Sequence, residues 1–597
     1  MYSKFEKGIT KLLKTARNGC LQSVSLVICL GLFSQAAWAQ SSEVLDQQRT
    51  QYDEVRAKTI LELQPFRHET VIILPDTNTE LQWASLNPAI NGWFLLQIKD
   101  LDSRADPASY HIENPNPTGQ TISFDTGAEP VLILTDETGS ERCEPWANQQ
   151  HALIEARASG LPFAPLCDGR LYLRNQVSGS RTSLERTAEF LRDHFWGGET
   201  IVRFVRDSFF RDSQFETSEE LEATGFGRLA VGPGAAAIDT PLEERPVIAT
   251  QTELGLGGTD GQRMTLGLWY PVVGLPGVYA SAMQPKAISE AVMQGPGVTS
   301  ALDWVEARAI TYLVAFSLDR FDLNFALGTD HPGLGWSPRP PSRIRPRGVP
   351  GPDGVNSPRP LVTLGMVNPA LADRTVAVFT GGFKRAHGAF KWGDYISLNF
   401  GTHYGFIENG TILSKLQPNL STLYVLADGT IGMKTWTEDD NVLLPQIRFA
   451  RQNGVPLLET DPETGRGIPG TLVTRWGPGN WSGSADAKLR TLRAGACLRE
   501  KEGEEFLIYG YFSTATPSAM ARTFQAYGCK YAMLLDMNAL EHTYLALYVR
   551  HEGDLHVEHL VPGMRLIDKK ARDGSLIPRF LGFVDNRDLF YLTLREE

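Results

Sequence analysis

The chain of 597 residues is poor in cysteine, with six in total, and no two of them form a Cys-x-x-Cys pair. This excludes zinc ribbons and thioredoxin-type redox sites, which need closely spaced thiols. The Gly-x-Ser-x-Gly and His-Glu-x-x-His patterns of serine hydrolases and zinc peptidases are also missing. Basic residues are outnumbered, with 57 Lys and Arg against 69 Asp and Glu. Because nucleic-acid binding needs a basic surface, a nucleic-acid partner is excluded.

The apolar run near the N-terminus, residues 24–33, is short. It has about half of the roughly twenty residues that cross a bilayer. Five basic residues precede it, and Ala37 and Ala39 follow at the spacing that signal peptidases recognise. We therefore predict a cleavable signal peptide over residues 1–39, and a periplasmic or secreted mature protein with no membrane span. A transmembrane anchor is the alternative.

Four cysteines remain after the predicted cleavage, in two sets of near neighbours. An even number of cysteines in an oxidising compartment predicts disulfides. We expect Cys143 to pair with Cys167, and Cys497 with Cys529. Four buried free thiols are the alternative.

A segment rich in proline and glycine, residues 336–360, divides the chain. Such a segment forms neither a helix nor a central strand, and it predicts an extended linker, with a basic functional patch as the alternative. Before it, the spacing of apolar residues predicts a β-rich, sandwich-like domain over 40–180 and a mixed helical and packing region over 181–335. After it, residues 361–597 are predicted to form a mixed α/β domain. The predicted fold class is therefore α+β.

The clearest local pattern lies between residues 505 and 549. An apolar strand is followed by Thr516-Pro517, a typical helix start, by a helix ending at Gly528, and by a second apolar strand. This order predicts a βαβ unit whose parallel strands are buried on both faces. Asp536 then emerges at the carboxyl end of the second strand, where ligands bind in sheets of this kind.

Four polar side chains follow one another closely at this strand end: Asp536, Asn538, Glu541 and His542. Two carboxylates, an amide and an imidazole are typical of an acid/base and substrate-orienting group. We predict Asp536, Glu541 and His542 to be catalytic and Asn538 to bind substrate. The alternative is that Asp536 caps a turn while Glu541 and His542 are solvated.

Three segments resemble the phosphodiester glycosidase family, and they occur in the same order as in that family. Residues 379–383, Phe-Thr-Gly-Gly-Phe, look like its Asn-Gly-Gly-Phe-Phe signature. Residues 493–495 look like its arginine-containing strand, and residues 528–536 look like the stretch that ends in Leu-Asp-Gly-Gly-Gly-Ser. The resemblance covers about 30 per cent of the chain. It implies a shared fold, with Arg493 holding phosphate and Asp536 acting at the sugar.

Further candidates for substrate or phosphate binding follow from local sequence. They comprise a glycine pair after a strand, a basic loop, a histidine before a hairpin and a tryptophan in a glycine-rich loop. These residues are Gly381, Gly382, Lys384, Arg385, His387, His403 and Trp481. Ordinary packing and surface charge are the alternatives for each of them.

We therefore expect an exported, glycan-directed hydrolase that acts on a sugar-1-phosphodiester or related glycosidic bond of envelope polysaccharide. No cofactor is predicted, although the sequence leaves a divalent metal open. The alternative is a non-catalytic envelope protein that binds polysaccharide or an assembly partner on a degenerate enzyme fold. Met537-Asn538-Ala539 favours this alternative, because it stands where the family has glycines.

Overall fold

A computed structural model describes residues 46, 50, 57 and 59–596, with gaps at 75, 128, 184, 187–210, 222–231, 260–261, 332–354, 356, 385–403 and 476–486. The protein is mostly β, with 40% strand and 15% helix in several antiparallel sheets, which agrees with the predicted α+β class at this coarse level. The predicted signal peptide, most of the segment 336–360, and four candidate residues lie outside the described residues. Those four are Arg385, His387, His403 and Trp481.

The N-terminal part contains a six-stranded sheet and a three-stranded sheet. Their orders are β1-β2-β3-β4-β9-β8 and β5-β6-β7. Leu81 and Phe94 of the larger sheet share one buried cluster with Leu132 and Leu134 of the smaller sheet. The elements are β1 (His68–Leu74), β2 (Thr79–Ser85), β3 (Trp93–Asp100), β4 (Ala108–Glu113), β5 (Thr121–Asp125), β6 (Val131–Asp136), β7 (Gly139–Cys143), α1 (Ala147–Ala158), β8 (Phe163–Leu166) and β9 (Leu171–Arg174).

The middle of the chain supplies short strands and two short helices before the segment 336–360. A three-stranded sheet has the order β10-β11-β12, and the later strands join larger sheets. The elements are β10 (Glu220–Leu221), β11 (Val247–Ala249), β12 (Arg263–Thr265), β13 (Trp269–Pro271), β14 (Val278–Met283), α2 (Glu290–Met293), α3 (Trp304–Arg308), β15 (Thr311–Ser317) and β16 (Phe321–Ala326).

The C-terminal part adds the remaining strands and one longer helix. Their bounds are β17 (Thr375–Thr380), β18 (Phe406–Glu408), β19 (Thr411–Ser414), β20 (Ser421–Leu426), β21 (Ile431–Thr435), β22 (Ile447–Gln452), β23 (Leu458–Thr460), β24 (Gly467–Pro469), β25 (Thr491–Lys501), β26 (Glu504–Ala515), α4 (Pro517–Ala526), β27 (Tyr531–Met537), β28 (Leu545–His551), β29 (Asp554–His559), β30 (Lys569–Lys570), β31 (Leu576–Ile577) and β32 (Leu589–Leu594).

Strands from both sides of the segment 336–360 pair within the same sheets. The eight-stranded sheet has the order β13-β14-β15-β26-β25-β27-β23-β24, and a five-stranded sheet has the order β16-β32-β17-β28-β29. Another five-stranded sheet, β19-β18-β22-β20-β21, is built from the C-terminal part alone. Because β15 is buried along its whole length, it needs β14 and β26 as hydrogen-bonding neighbours. Residues 42–597 accordingly form one compact unit.

The structure contains the two strands and the helix of the predicted βαβ unit, β26, α4 and β27, but the two strands are not neighbours in the sheet. Helix α4 begins at Pro517, with Thr516 accepting the backbone N–H of Ala519, as predicted. Strand β25, however, lies between β26 and β27 and is antiparallel to both. Because β25 is antiparallel to both, β26 and β27 run parallel to each other and are buried, as predicted. The sequence did not indicate that β25 lies between them.

The five-stranded sheet of β16, β32 and β17 brings several strand ends to one edge. Ala326 and Thr380, the last residues of β16 and β17, both pair with Leu589, the first residue of β32. Polar residues that follow β16 and β17 therefore meet those that precede β32. This edge carries the candidate site.

Candidate functional site

A largely buried group of charged and histidine side chains, here called the ionic cluster, lies at this edge and at the end of β27. Its members come from segments that are far apart in the sequence. Hydrogen bonds and ion pairs join Glu185, Asp330, Lys384, Asp536, His542 and Arg587 in one network. The Arg579–Asp585 pair is joined to this network through the backbone N–H of Arg587, and the Arg451–Asp588 pair lies beside His331. The acidic members are Glu185, Asp330, Asp536, Asp585 and Asp588, the basic members are Lys384, Arg451, Arg579 and Arg587, and the histidines are His331 and His542.

Asp536 is the penultimate residue of β27 and is 3% exposed. Its Oδ2 accepts from Arg587 Nη1 at 2.7 Å, and its Oδ1 accepts from the backbone N–H of Met537 at 2.8 Å. Burial, with a smaller contribution from Asp588, outweighs the effect of Arg587 and raises the pKa of Asp536 to about 7. Near neutral pH the protonated and the ionised forms of this carboxyl are therefore both populated.

His542 contacts the second terminal nitrogen of the same arginine, Arg587. Arg587 Nη2 lies 2.8 Å from His542 Nε2, and His542 Nδ1 lies 2.8 Å from the carbonyl oxygen of Met537. An arginine only donates and a carbonyl only accepts, so these contacts assign a neutral imidazole with its proton on Nδ1. Burial and Arg587 lower the pKa of His542 to about 3, which agrees with this assignment.

Lys384 and Glu185 connect the end of β17 to the same arginine. Lys384 Nζ lies 2.7 Å from Glu185 Oε1 and 2.6 Å from Asp330 Oδ2. Glu185 Oε1 also accepts from Arg587 Nη2 at 3.0 Å. Burial disfavours the charged form of Glu185, but Arg587 and Lys384 outweigh it and hold the pKa of Glu185 far below its usual range.

Gly381 and Gly382 allow the backbone after β17 to approach the ionic cluster. A Cβ atom at Gly381 would lie 2.9 Å from Asp588 Oδ2, which Arg451 Nε contacts at 2.6 Å. Gly382 has a φ of 142°, and a Cβ atom there would lie 2.9 Å from the Asn453 side chain. Side chains at these two positions would displace members of the cluster or their neighbours.

Five buried polar atoms of the ionic cluster and of its neighbour Asn586 have no hydrogen-bond partner among the described residues. They are both ring nitrogens of His331, Asn586 Oδ1, Arg587 Nε and Asp588 Oδ1. His331 Nδ1 lies 3.7 Å from Asp588 Oδ1, and burial lowers the pKa of His331 to about 4. Native proteins leave few buried polar groups unpaired, and those that remain call for a functional explanation.

Glu541 lies at the margin of the ionic cluster. Its carboxylate accepts from Thr182 Oγ1 at 3.1 Å, while its backbone oxygen accepts from Arg579 Nη1 at 2.6 Å. Arg579 is held in turn by Asp585, with Nε 2.9 Å from Oδ2. Glu541 therefore reaches Asp536 only through other members of the cluster.

Asn538 follows Asp536 by two residues and Arg493 pairs with Met537 from the neighbouring strand β25, but both side chains contact other groups. Arg493 donates to the carbonyl oxygens of Ala515 and Leu489, and its Nη1 is 3.5 Å from the sulfur of Met537. Since Met537 follows Asp536 in β27, the two side chains point to opposite faces of the strand. Asn538 has a φ of 79° and accepts from Thr491, so it forms the turn after β27.

The structure thus brings Asp536, His542, Lys384 and both glycines together, with Glu541 at the margin and Arg493 on the other face. Sequence reasoning missed other members of the cluster. A signal was available for three of them, because Asp585, Arg587 and Asp588 immediately precede the apolar run of β32. Charged residues directly before a buried strand, like Asp536 at the carboxyl end of β27, are held at the edge of a sheet.

Both predicted cysteine pairs lie at disulfide distance. The Cα–Cα distance is 5.9 Å for Cys143–Cys167 and for Cys497–Cys529. None of the helices in the described part of the chain combines the length and apolarity needed to span a bilayer. The two disulfides are compatible with an extracytoplasmic protein.

The described residues contain no group of three or more His, Cys, Asp and Glu side chains arranged to hold a metal ion. The carboxylates of the ionic cluster pair with Lys and Arg side chains of the protein. Comparison of the sequence with protein-family models and with curated proteins returned no match.

Proposed function

We propose that this protein is an exported hydrolase acting on a sugar-1-phosphodiester or related glycosidic bond of envelope polysaccharide. The observation that supports this most directly is Asp536, a buried carboxyl group with a pKa of about 7 beside an arginine. Carboxyl groups tuned to this range are typical of general acids and bases that work at neutral pH. Its position at a strand end, next to unpaired polar atoms, also supports a catalytic role.

In the proposed reaction, water attacks the anomeric carbon and the bond from this carbon to the phosphate oxygen breaks. The Asp536 carboxylate accepts the proton of the attacking water, and the phosphate monoester leaves with the bonding electrons. Arg587 and Lys384 are the nearest described cations to Asp536 and Glu185, and they would orient the phosphate. Arg493, on the opposite face of β27, would support the strand.

His542 has a positioning role in this proposal. With a pKa of about 3 it is neutral at physiological pH, so it cannot serve as an imidazolium acid. It accepts from Arg587 and thereby fixes the guanidinium that contacts Asp536.

A specific observation favours the non-catalytic alternative. Lys384, Arg451, Arg579 and Arg587 are each paired with a carboxylate of the cluster. A phosphate would have to displace at least one of these partners. In the alternative, the cluster is a structural element of a polysaccharide-binding or assembly protein.

Sugar release distinguishes the two functions. The purified mature protein and its Asp536→Asn variant are incubated with a panel of sugar-1-phosphodiesters and envelope polysaccharides. The matched control is Asp554→Asn, because Asp554 is an exposed aspartate at the start of β29. The proposal expects release by the wild type and the control and a loss of at least 100-fold in Asp536→Asn. Polysaccharide binding without release by any of the three proteins would favour the alternative.

A further inference from the structure

A polar pocket with a volume of about 280 Å³ lies at the other edge of the five-stranded sheet. Asp322 at the start of β16, Arg374 before β17, and Arg595 after β32 line it. The ionic cluster lies beyond the opposite ends of these strands. Since β17 has six residues, about 20 Å of strand separates Arg374 from the residues that follow Thr380. The pocket is therefore distinct from the candidate site.

Three arginines line the pocket, and two of them are paired within it. Arg374 forms an ion pair with Glu596 and donates to the carbonyl oxygen of Leu594. Arg595 Nε lies 3.2 Å from Asp322 Oδ1. Two acidic residues thus neutralise two of the three cations.

Arg448, at the second position of β22, is the third arginine and differs from the other two. No carboxylate in the described part of the chain lies within ion-pair distance of it. Its Nε is buried and has no hydrogen-bond partner among the described residues. Its guanidinium lies over the ring of Phe449, 4.9 Å from the centroid. Burial lowers the pKa of Arg448.

The rest of the lining is rich in hydroxyl and amide groups, from Asn116, Thr118, Asn324 and Thr593. The one acidic side chain without a cationic partner there, Asp428, is used by its own turn, because its Oδ1 accepts from the backbone N–H of Thr430. Hydroxyls and amides are the groups that hydrogen-bond to the hydroxyls of a polar ligand. The volume of about 280 Å³ is just below the range of about 300–1,000 Å³ that is usual for ligand pockets, which suits a ligand of one sugar ring.

We propose that this pocket binds a small hydroxylated ligand through its oxyanion group, with Arg448 as the anchor. The oxyanion is the carboxylate or phosphate of an acidic sugar, because a guanidinium binds both groups with two parallel hydrogen bonds. This site is independent of the proposed hydrolytic activity.

Isothermal titration of the whole mature protein tests this site. The probes are glucuronate, glucose 1-phosphate and inorganic phosphate, with glucose as the uncharged control. The proposal expects glucuronate or glucose 1-phosphate to bind and glucose not to bind. The Arg448→Gln variant should weaken this binding at least tenfold, while Arg572→Gln, at an exposed arginine, should not. The stronger of the two sugar acids identifies the oxyanion.

Two further variants separate this site from the ionic cluster and from a folding defect. Asp536→Asn should leave the binding unchanged. Thr118→Trp places a large ring at the exposed rim and should block the pocket while the protein remains folded. The proposal is overturned if none of the anions binds, if binding is unchanged in both Arg448→Gln and Thr118→Trp, or if it is lost in Asp536→Asn alone.

Discussion

Arg587 donates to Asp536 across 2.7 Å, and the two residues come from different sheets of the protein. Arg587 precedes β32 of the five-stranded sheet, while Asp536 belongs to β27 of the eight-stranded sheet. This buried ion pair therefore joins the eight-stranded sheet to the segment that leads into the five-stranded sheet. Glu185 and His542 also contact the guanidinium of Arg587.

Removing the arginine should destabilise the protein strongly. Arg587→Gln leaves Asp536 and Glu185 buried without this cation, and we expect a loss of about 3–5 kcal/mol in the free energy of unfolding. The double variant with Asp536→Asn should recover part of that loss, because one uncompensated carboxylate is then gone. Urea denaturation measures the free energy of unfolding of the single and the double variant. In the control, Arg67→Gln breaks a partly exposed pair with Glu69 and should cost less than about 1 kcal/mol. Strict additivity of the two cluster variants would contradict the coupling.

The pKa of Asp536 predicts a pH dependence of stability. Its folded pKa of about 7 is above its ordinary value of 3.8, so the folded state binds the proton more tightly than the unfolded state. The stabilisation is complete below pH 4 and is lost as the pH rises through 7. The free energy of unfolding of the wild type should therefore fall relative to Asp536→Asn between pH 4 and 7, by up to about 4 kcal/mol. Unfolding of both proteins across this range tests it, with Asp554→Asn as the control. If the free energies of unfolding of the wild type and of Asp536→Asn change in parallel with pH, the pKa of Asp536 is not raised in the folded state.

Gly382 should be intolerant of a side chain. Gly382→Ala forces an L-residue to a φ of 142° and places its Cβ atom 2.9 Å from the Asn453 side chain. Gly574→Ala is the matched control, because Gly574 has a φ of 90° but nothing within 4 Å of the position that an added methyl group would occupy. We expect the free energy of unfolding to fall by about 1 kcal/mol in the control and by at least about 2 kcal/mol in Gly382→Ala. Thermal or chemical unfolding measures both losses. Equal losses would mean that the backbone at Gly382 is not confined by the cluster.

The disulfide between Cys497 and Cys529 should stabilise the sheet that carries Asp536. It links Cys497 in β25 to Cys529, which lies two residues before the start of β27, and the two cysteines are 32 residues apart in the sequence. Loop-closure entropy predicts a loss of about 3–4 kcal/mol when both cysteines are replaced by alanine. Urea denaturation of the oxidised protein and the double variant measures this loss. Replacement of Cys143 and Cys167, with a separation of 24, should cost a similar amount but leave the environment of Asp536 unchanged. A loss below about 1 kcal/mol at Cys497–Cys529 would contradict the prediction.

Local chemistry was enough to predict several elements of this fold. Thr516 and Pro517 start α4 as expected, because a capping hydroxyl and a fixed proline φ act within one turn. Asn409 and Gly410, with φ values of 44° and 74°, form the turn between β18 and β19, which an Asn-Gly pair favours by its local conformation. The cysteine pairs and the position of Asp536 at the end of a buried strand also followed from the sequence.

The pairing of strands and the membership of the ionic cluster were decided only by the tertiary structure. Nothing local to residues 505–549 shows that β25 lies between β26 and β27, and alternation alone does not show that Arg493 faces away from Asp536. Glu185, Asp330 and Arg587 are far apart in the chain, yet they converge because the ends of β16, β17 and β32 meet. The sequence by itself determined caps, turns and buried runs, since these depend on neighbouring residues. Which buried runs became neighbours, and therefore which charges meet, was determined by non-local packing.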